Sequence, residues 1–143
     1  MTTNEKDRQL LALLSENARA STSLLARRLG LSRTTVQARI ERLEREGVIT
    51  GYGVRLSDEF ERNIVRAHVL ITAGPKALAR VTAELAAIPE VRTLHSVSGS
   101  FDLIAIVAAQ SISELDHLID RIGELEGVER TLSSIILSTR INR

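Results

Sequence analysis

Two amphipathic patterns meet at a glycine in the first third of the chain. Leu24, Leu25 and Leu29 recur at helical spacing, which predicts a short helix with one apolar side. Gly30 follows this helix and can take the positive φ that reverses a chain with little strain. Ser32 then stands where its hydroxyl can accept a backbone N–H, so we expect it to be the N-cap of a second helix.

The second pattern fills one side of this next helix. Val36, Ile40 and Leu43 fall at i, i+4 and i+7, and Gly47 ends the run. Ser21 stands in the capping position of the helix before it. A short helix, a tight glycine turn and a second helix with a polar outer face form the layout of a helix-turn-helix.

The flanking residues complete a small domain. Residues 4–17 predict a first helix with a leucine-rich side, capped by Asn4 or Asp7. The run 48–54 alternates imperfectly around two glycines, which indicates a short extended wing or strand pair. We therefore predict a winged helix-turn-helix at residues 1–54.

The polar face of the helix after Ser32 suits nucleic acid. Short polar groups, a small apolar contact and an arginine fork fit base edges and phosphates in a major groove. We therefore predict DNA contacts from Ser32, Arg33, Thr34, Thr35, Gln37, Ala38 and Arg42. The end of this helix carries Glu41, Glu44 and Glu46, which repel phosphate, so an ordinary solvated face describes that half better.

The charge distribution agrees with this assignment. The chain of 143 residues has a net charge of +1, but residues 1–56 carry ten Lys or Arg against six Asp or Glu, whereas residues 57–143 carry nine against twelve. The basic half is the half with the helix-turn-helix pattern, as a nucleic-acid contact requires.

The rest of the chain contains a repeat. The stretch 55–63 is charged and non-periodic, which predicts a linker. Within residues 64–143, a shift of 37 positions superimposes apolar positions such as Val81 and Leu118. Each copy reads as strand, helix and strand, so we predict a ferredoxin-like βαββαβ sandwich with both helices on one sheet face, and an α+β fold class for the whole chain.

The two copies give definite expectations for their elements. In the first, a strand at Ile64–Thr72 precedes a helix that begins at Pro75, a residue favoured at the first helical position. In the second, a strand at Leu103–Ala109 precedes a helix opened by Ser111, with Glu114 completing a capping box.

The second copy also predicts an interface. Residues 103–109 are apolar at both alternating sets of positions, and residues 135–137 are similar. Helices cover only one face of such a sheet, and an apolar face is rarely left to water in a monomer. We therefore infer that the other face pairs with a second copy, which would place two recognition helices roughly one helical turn of DNA apart.

The hairpin between the copies carries candidate ligand chemistry. Gly99 permits a tight turn with an unshielded amide, and Asp102 is an acceptor at the mouth of an apolar strand. Such groups could hold a small zwitterion, with its ammonium on Asp102 and its carboxylate on N–H groups. The candidate ligand residues are Ser98, Gly99, Phe101, Asp102, Thr131 and Ser133. A plain β-turn capped by Asp102 is the simpler interpretation of the same hairpin.

Several function classes are disfavoured. The absence of cysteine excludes disulfides, thiolate zinc sites and a thiol nucleophile. The N-terminus is polar and no stretch has the apolar length to span a membrane, so we expect a soluble cytoplasmic protein. His68, His95 and His117 lack metal-binding or catalytic spacing, and no glycine-rich phosphate loop is present. We expect no metal, no cofactor and no enzymatic activity.

Five stretches carry a family resemblance. They are DRQLLALLSENAR, LARRLGLSRTTVQARIERLEREGVITGY, PEV, SGSFDL and EGVERTLSSIIL, which together reach from the first helix to the last strand. In this order and at these spacings, the chain resembles the Lrp/AsnC (feast/famine) family of bacterial and archaeal transcription regulators.

The resemblance implies DNA-binding dimers that associate further, often into octamers, through a C-terminal ligand-binding (RAM) domain. It also implies an amino acid or related effector bound between subunits near a G-x-[YF]-D turn, here residues 99–102 with Phe101 at the aromatic position. The family's hydroxyls on the last strand fall on Thr131 and Ser133. Arg33 departs from the Ser-Pro opening that is common in the family's recognition helix.

Two other functions fit parts of the pattern. Siroheme decarboxylases look like this family and would need histidines in a tetrapyrrole pocket. A pure assembly module with a vestigial DNA domain is the other alternative, and the intact cap, turn and basic half argue against it. We therefore predict a sequence-specific transcriptional regulator whose oligomeric state or DNA geometry responds to a small effector.

Overall fold

The structure, a computed structural model, describes residues 3–143 and forms two compact units. The first unit ends at Arg55 and the second begins at Leu56. Within the part of the chain that the structure describes, no helix is long and apolar enough to cross a membrane.

The first unit contains the three predicted helices. They are α1 (Glu5–Glu16), α2 (Thr22–Leu29) and α3 (Arg33–Arg45). Each is preceded by an N-cap residue whose side-chain oxygen accepts a backbone N–H of the first turn; these N-caps are Asn4 for α1, Ser21 for α2 and Ser32 for α3. Asp7 accepts the N–H of Asn4 in return, so α1 starts with a complete capping box.

Gly30 makes the turn between α2 and α3. Its φ of 67° lies in the left-handed region, which residues with a side chain rarely adopt. The three helices bury a small core of Leu10, Leu14, Leu25, Ala26, Leu29, Val36 and Leu43. Because Val36 and Leu43 face this core, the opposite side of α3 faces solvent.

The wing differs from the prediction. Residues 48–54 form no strand, so of the two predicted forms, a short extended wing or a strand pair, the strand pair is wrong. The N–H groups of Val48 and Ile49 donate to the carbonyl of Leu43, at 2.9 and 3.0 Å, and so complete the end of α3. These donors are therefore used by the helix end and are not available to a strand ladder.

The second unit has the predicted βαββαβ order. Its elements are β1 (Val65–Ala73), α4 (Leu78–Ala86), β2 (Val91–Ser96), β3 (Leu103–Ala109), α5 (Ile112–Gly123) and β4 (Val128–Ile135). The strands form one sheet in the order β2-β3-β1-β4, and every neighbouring pair is antiparallel. Residues 57–64 form hydrogen-bonded turns that lead into β1.

The starts of the two helices in the second unit agree with the prediction only in part. The first begins at Leu78 rather than at Pro75, because Pro75 lies in a turn that a backbone hydrogen bond closes before the helix. The second begins after Ser111, as predicted. The Glu114 carboxylate, however, accepts the N–H of Gln110 at 3.0 Å instead of that of Ser111, so the expected capping box is displaced by one residue.

Alternation along the strands gives the sheet two different faces. One face is covered by α4 and α5 and holds the core of this unit. Its buried strand residues are Ala67, Val69, Ile71, Leu103, Ala105 and Val107, and its buried helix residues include Val81, Leu85, Leu115, Leu118 and Ile122.

The other face, which we call the open face, is apolar at its centre. Its central residues are Leu70, Ile104, Ile106 and Leu132. Leu70 lies between Ile104 on one side and Leu132 on the other. Leu132 is 55% exposed, and the other three side chains are half-buried. The prediction that β3 is apolar on both faces is confirmed.

Candidate functional site

The solvent side of α3 carries the predicted nucleic-acid contacts. Of the seven predicted residues, five are exposed and two, Thr35 and Arg42, are half-buried; the exposed ones are Ser32, Arg33, Thr34, Gln37 and Ala38. The Ser32 hydroxyl accepts the N–H of Thr35 at 3.1 Å and lies 2.8 Å from the Thr35 hydroxyl, so this pair fixes the start of the helix. Arg33, Thr34, Gln37 and Ala38 are then the groups that the first two turns of α3 present outward.

A groove runs along each side of this surface. One groove is lined by Thr22, Arg33, Thr34, Gln37, Ala38 and Glu41. The other is lined by Asn4, Asp7, Thr34, Thr35, Ala38, Arg39, Arg42 and Arg45. Thr34 and Ala38 line both grooves and therefore form a ridge between them. The Thr34 hydroxyl and the small Ala38 side chain lie on this ridge, and the Arg33 guanidinium and the Gln37 amide line the groove beside it. This combination has the chemistry that a DNA major groove admits.

A buried carboxylate ties α1 to α3. Asp7 is 1% exposed and accepts two hydrogen bonds from Arg42 Nη2, at 2.7 and 2.8 Å. Arg39 Nη1 donates a third, at 3.0 Å. A carboxylate is costly to bury unless charges and hydrogen bonds compensate for the lost water, and here both are present. We call Asp7, Arg39 and Arg42 the Asp7 cluster.

The cluster holds its carboxylate in the charged form. Burial alone would raise the pKa of Asp7, but the hydrogen bonds from Arg42, the Asn4 backbone and Arg39 outweigh that effect. The pKa of Asp7 therefore lies below its ordinary value of 3.8. In return, the hydrogen bond to Asp7 raises the pKa of Arg42.

The sequence indicates Asp7 only as a helix cap and Arg42 only as a DNA contact. The spacing of residues could have revealed that Asp7 is buried. Asp7 precedes Leu10 and Leu14 by three and seven positions and so shares the apolar side of α1. A carboxylate on a core-facing side needs a partner. The DNA contact of Arg42 stays a prediction, and the structure adds an internal function for the same side chain.

The hairpin at residues 97–102 joins β2 to β3, as predicted. Gly99 has a φ of 101° and is exposed at its tip. Asp102 is anchored to β1, since its N–H donates to the carbonyl of Ile71 at 2.9 Å and its Oδ2 accepts the N–H of Ala73 at 3.0 Å. One carboxylate oxygen therefore has a structural partner on the neighbouring strand β1, and not within the turn that the simpler interpretation has Asp102 cap.

A second charged group stands at this hairpin. The Arg130 guanidinium carbon lies 4.9 Å from the centre of the Phe101 ring, within the range of a cation–π contact. Arg130 belongs to β4, so the contact joins the hairpin to the far edge strand. No local sequence pattern predicts it, because Phe101 and Arg130 are 29 positions apart in the chain.

The other candidate ligand residues are divided between two surfaces. Ser98 is exposed in the hairpin. Thr131 and Ser133 pair with Ile71 and Val69 and so lie on the helix-covered face of the sheet. Arg130 alternates with them and lies on the opposite face of β4. Within a single chain, the two hydroxyls and the Arg130 guanidinium are therefore not brought to one side of the sheet.

The three histidines are also spread over the second unit. His68 and His95 lie on the open face on either side of β3, and His117 lies on α5, where Nδ1 is 2.7 Å from the Ser113 carbonyl. Among residues 3–143, no group of three or more His, Cys, Asp or Glu side chains is arranged to hold a metal ion.

Comparison with known proteins identifies relatives along the whole chain. A family model for the Lrp/AsnC ligand binding domain matches residues 66–143, and one for winged helix-turn-helix DNA-binding matches residues 3–50. The HTH-type transcriptional regulator LrpA of Mycobacterium tuberculosis is 39% identical over 134 residues, which span 93% of this chain and 89% of LrpA.

Solved structures share the complete fold. The structure of E. coli AsnC superposes with a TM-score of 0.87 at 28% identity, covering 100% of this chain and 97% of AsnC. A transcriptional regulator from Neisseria meningitidis, solved as a complex with L-Met, superposes with a TM-score of 0.87 at 24% identity and covers 99% and 94% of the two chains.

Proposed function

Since the chain belongs to the Lrp/AsnC family of HTH-type transcriptional regulators, we propose that it acts as a dimer whose assembly on DNA responds to an amino acid. The proposal of DNA binding is supported chiefly by the start of α3, which is exposed, capped by Ser32 and bordered by a groove on each side. The experiment that tests it is a comparison of specific with scrambled duplex DNA.

Side-chain chemistry indicates which part of the DNA each exposed residue of α3 contacts. Arg33 stands in the first turn, where a guanidinium suits phosphate or guanine, and Gln37 follows one turn later. The Gln37 amide offers a donor and an acceptor together, which matches the edge of adenine. In the free protein its Nε2 donates to Glu41 Oε1 at 3.1 Å, an exposed contact that DNA can replace.

Gln37→Ala is expected to lower the ratio of specific to non-specific DNA affinity about tenfold. A bidentate side-chain contact to a base contributes about 1–3 kcal/mol of discrimination, whereas phosphate contacts do not depend on sequence. Fluorescence anisotropy on the preferred duplex and on a scrambled duplex, at two salt concentrations, measures this ratio.

Gln9→Ala is the matched control for this substitution. Gln9 is also exposed on a helix, and its Nε2 donates to Glu5 Oε1 at 3.3 Å, but it lies on α1. Equal losses on both duplexes for Gln37→Ala, or the same change in ratio for Gln9→Ala, would contradict base reading by Gln37.

The proposed dimer pairs two open faces. An apolar centre of four aliphatic side chains, one of them more than half exposed, is the kind of surface that soluble proteins cover. A second copy supplies an identical apolar face, and a two-fold axis through the pair presents two α3 helices to two half-sites. From the family resemblance, we also expect these dimers to associate further into octamers.

The proposed effector site is the hairpin with Ser98, Gly99, Phe101 and Asp102, completed by groups such as Thr131 and Ser133. Thr131 and Ser133 lie on the other face from Arg130, so they would reach this ligand only from a neighbouring subunit. The complex of the neisserial regulator with L-Met makes amino acids the first compounds to test. An effector changes the assembly only by its difference in affinity for two states.

Asp102→Asn is expected to weaken amino-acid binding about tenfold or more, because the charged acceptor for the ammonium is lost. The asparagine oxygen can still accept the N–H of Ala73, so the hairpin should keep its fold. A thermal-shift screen of the amino acids on the wild type, repeated with this variant, measures the effect. Asp116→Asn, at an exposed position of α5, is the control. An unchanged response in Asp102→Asn would place the ligand elsewhere.

We infer that the protein is a cytoplasmic regulator and not an enzyme. Its relatives along the whole chain are transcriptional regulators, and regulation needs no reaction at the effector site. The siroheme decarboxylase alternative requires histidines that surround a tetrapyrrole, whereas His117 lies on α5, apart from the open face that carries His68 and His95. A change in tetrapyrrole absorbance on mixing with the protein would revive that alternative.

A further inference from the structure

We propose that Arg130 is the residue that binds the carboxylate of the effector, an inference that rests on the proposed amino-acid site. The sequence predicts an acceptor for the ammonium, Asp102, but assigns the carboxylate only to backbone N–H groups. The structure places a guanidinium at the same hairpin, on the ring of Phe101.

The Arg130 side chain is held in position by the Phe101 ring. Its guanidinium carbon lies 4.9 Å from the ring centre, which leaves the edge of the fork able to donate. Arg130 is exposed, and within residues 3–143 no hydrogen bond or ion pair engages its guanidinium. A stacked arginine whose donors face water is suited to bidentate binding of a carboxylate.

An irregularity in the sheet occurs at this residue. Thr72 pairs with Arg130, but Ala73 pairs with Val128, so Glu129 is an extra residue on β4. Such a bulge bends the strand and changes the direction of neighbouring side chains, and bulges are frequent beside binding sites. The bulge therefore provides a local reason why the Arg130 side chain reaches the hairpin.

The two charges suit a zwitterion. Asp102 and Arg130 flank the end of β1, with Thr72 between them, so about two strand spacings, roughly 10 Å, separate their backbones. The Arg130 guanidinium lies over the ring of Phe101, the residue next to Asp102 in the hairpin. An acceptor, a guanidinium and an aromatic ring at one hairpin match an ammonium, a carboxylate and an apolar side chain.

The test compares each amino acid with its carboxamide. Isothermal titration calorimetry of the wild-type protein should show binding of an amino acid and at least tenfold weaker binding of the amide, which lacks the carboxylate charge. In Arg130→Gln, the amino acid should bind at least tenfold more weakly and the preference for acid over amide should disappear. Arg130→Lys keeps the charge but not the planar fork, so it should restore only part of the preference.

Arg92→Gln is the matched control, because Arg92 is an exposed arginine on β2, the opposite edge strand. It should bind as the wild type does. If the wild type binds no amino acid, the proposed effector class is wrong and this assignment falls with it. If the wild type binds one and Arg130→Gln keeps both the affinity and the preference for the acid, the assignment of Arg130 alone is overturned.

Discussion

Leu132→Asp is expected to convert the protein into single chains at micromolar concentration and to weaken operator binding about 100-fold or more. Leu132 is 55% exposed in the single chain, so a carboxylate there remains in water and leaves the fold of the unit intact. In a dimer paired through the open face, the same carboxylate would be buried without a partner. Two linked recognition helices bind much more tightly than one, so most of the affinity depends on the pair.

Ile112→Asp is the control for this prediction. Ile112 is 58% exposed, nearly as much as Leu132, but it lies at the start of α5 on the helix layer. Sedimentation velocity should give a dimer or larger species for the wild type and for Ile112→Asp, and a monomer for Leu132→Asp. A Leu132→Asp protein that sediments as the wild type does would contradict pairing through the open face.

Asp7→Asn is expected to destabilise the first unit by roughly 3 kcal/mol. An asparagine carries an NH₂ group in place of one oxygen, and both Asp7 oxygens accept donors, Oδ1 from Arg39 and Arg42 and Oδ2 from Arg42 and Asn4. Either orientation of the amide therefore sets a donor against a donor and leaves two arginines without their counter-charge. The loss should lower the unfolding midpoint of this unit by about 10 °C or more.

The same carboxylate predicts a pH dependence. A group whose native pKa is lowered stabilises the native state fully above its unfolded pKa, and this stabilisation is lost as the pH falls through the native value. The difference in unfolding free energy between wild type and Asp7→Asn should therefore be constant near neutral pH and shrink as the pH falls below 3.8. Tyr52, the single tyrosine, lies in the first unit and reports its unfolding by fluorescence.

Glu5→Gln provides the comparison for the Asp7 prediction. Glu5 occupies the same first turn of α1 but is exposed, so its substitution should change stability by less than about 0.5 kcal/mol. If Asp7→Asn unfolds at the same denaturant concentration as Glu5→Gln, the Asp7 cluster does not stabilise the domain.

Features that depend on neighbouring residues are predictable from this sequence. Gly30 and Ser32 define the turn and the start of α3 because each acts on backbone groups within three positions. Residues 103–109 likewise predict that β3 is apolar on both faces, since every residue of the run is apolar and successive side chains point to opposite faces of a strand. The hairpin at residues 97–102 likewise follows from its glycine and its flanking strands.

Features that depend on distant residues are not predictable in this way. The contact between Asp7 and Arg42 spans 35 positions, and that between Phe101 and Arg130 depends on strand order and on a bulge. The strand pair that residues 48–54 indicate does not form, because the donors of Val48 and Ile49 are used by the end of α3. Nothing in the alternation of residues 48–54 reveals that competition.

We propose that two copies of this chain read DNA together through α3. Selection of bound duplexes from random DNA by the wild-type protein, followed by sequencing, tests this pairing most directly. We expect enrichment of an inverted repeat whose half-sites are centred roughly 10 base pairs apart, or a multiple of that distance. Enrichment of a single unrepeated motif, or no enrichment at low salt, would contradict it.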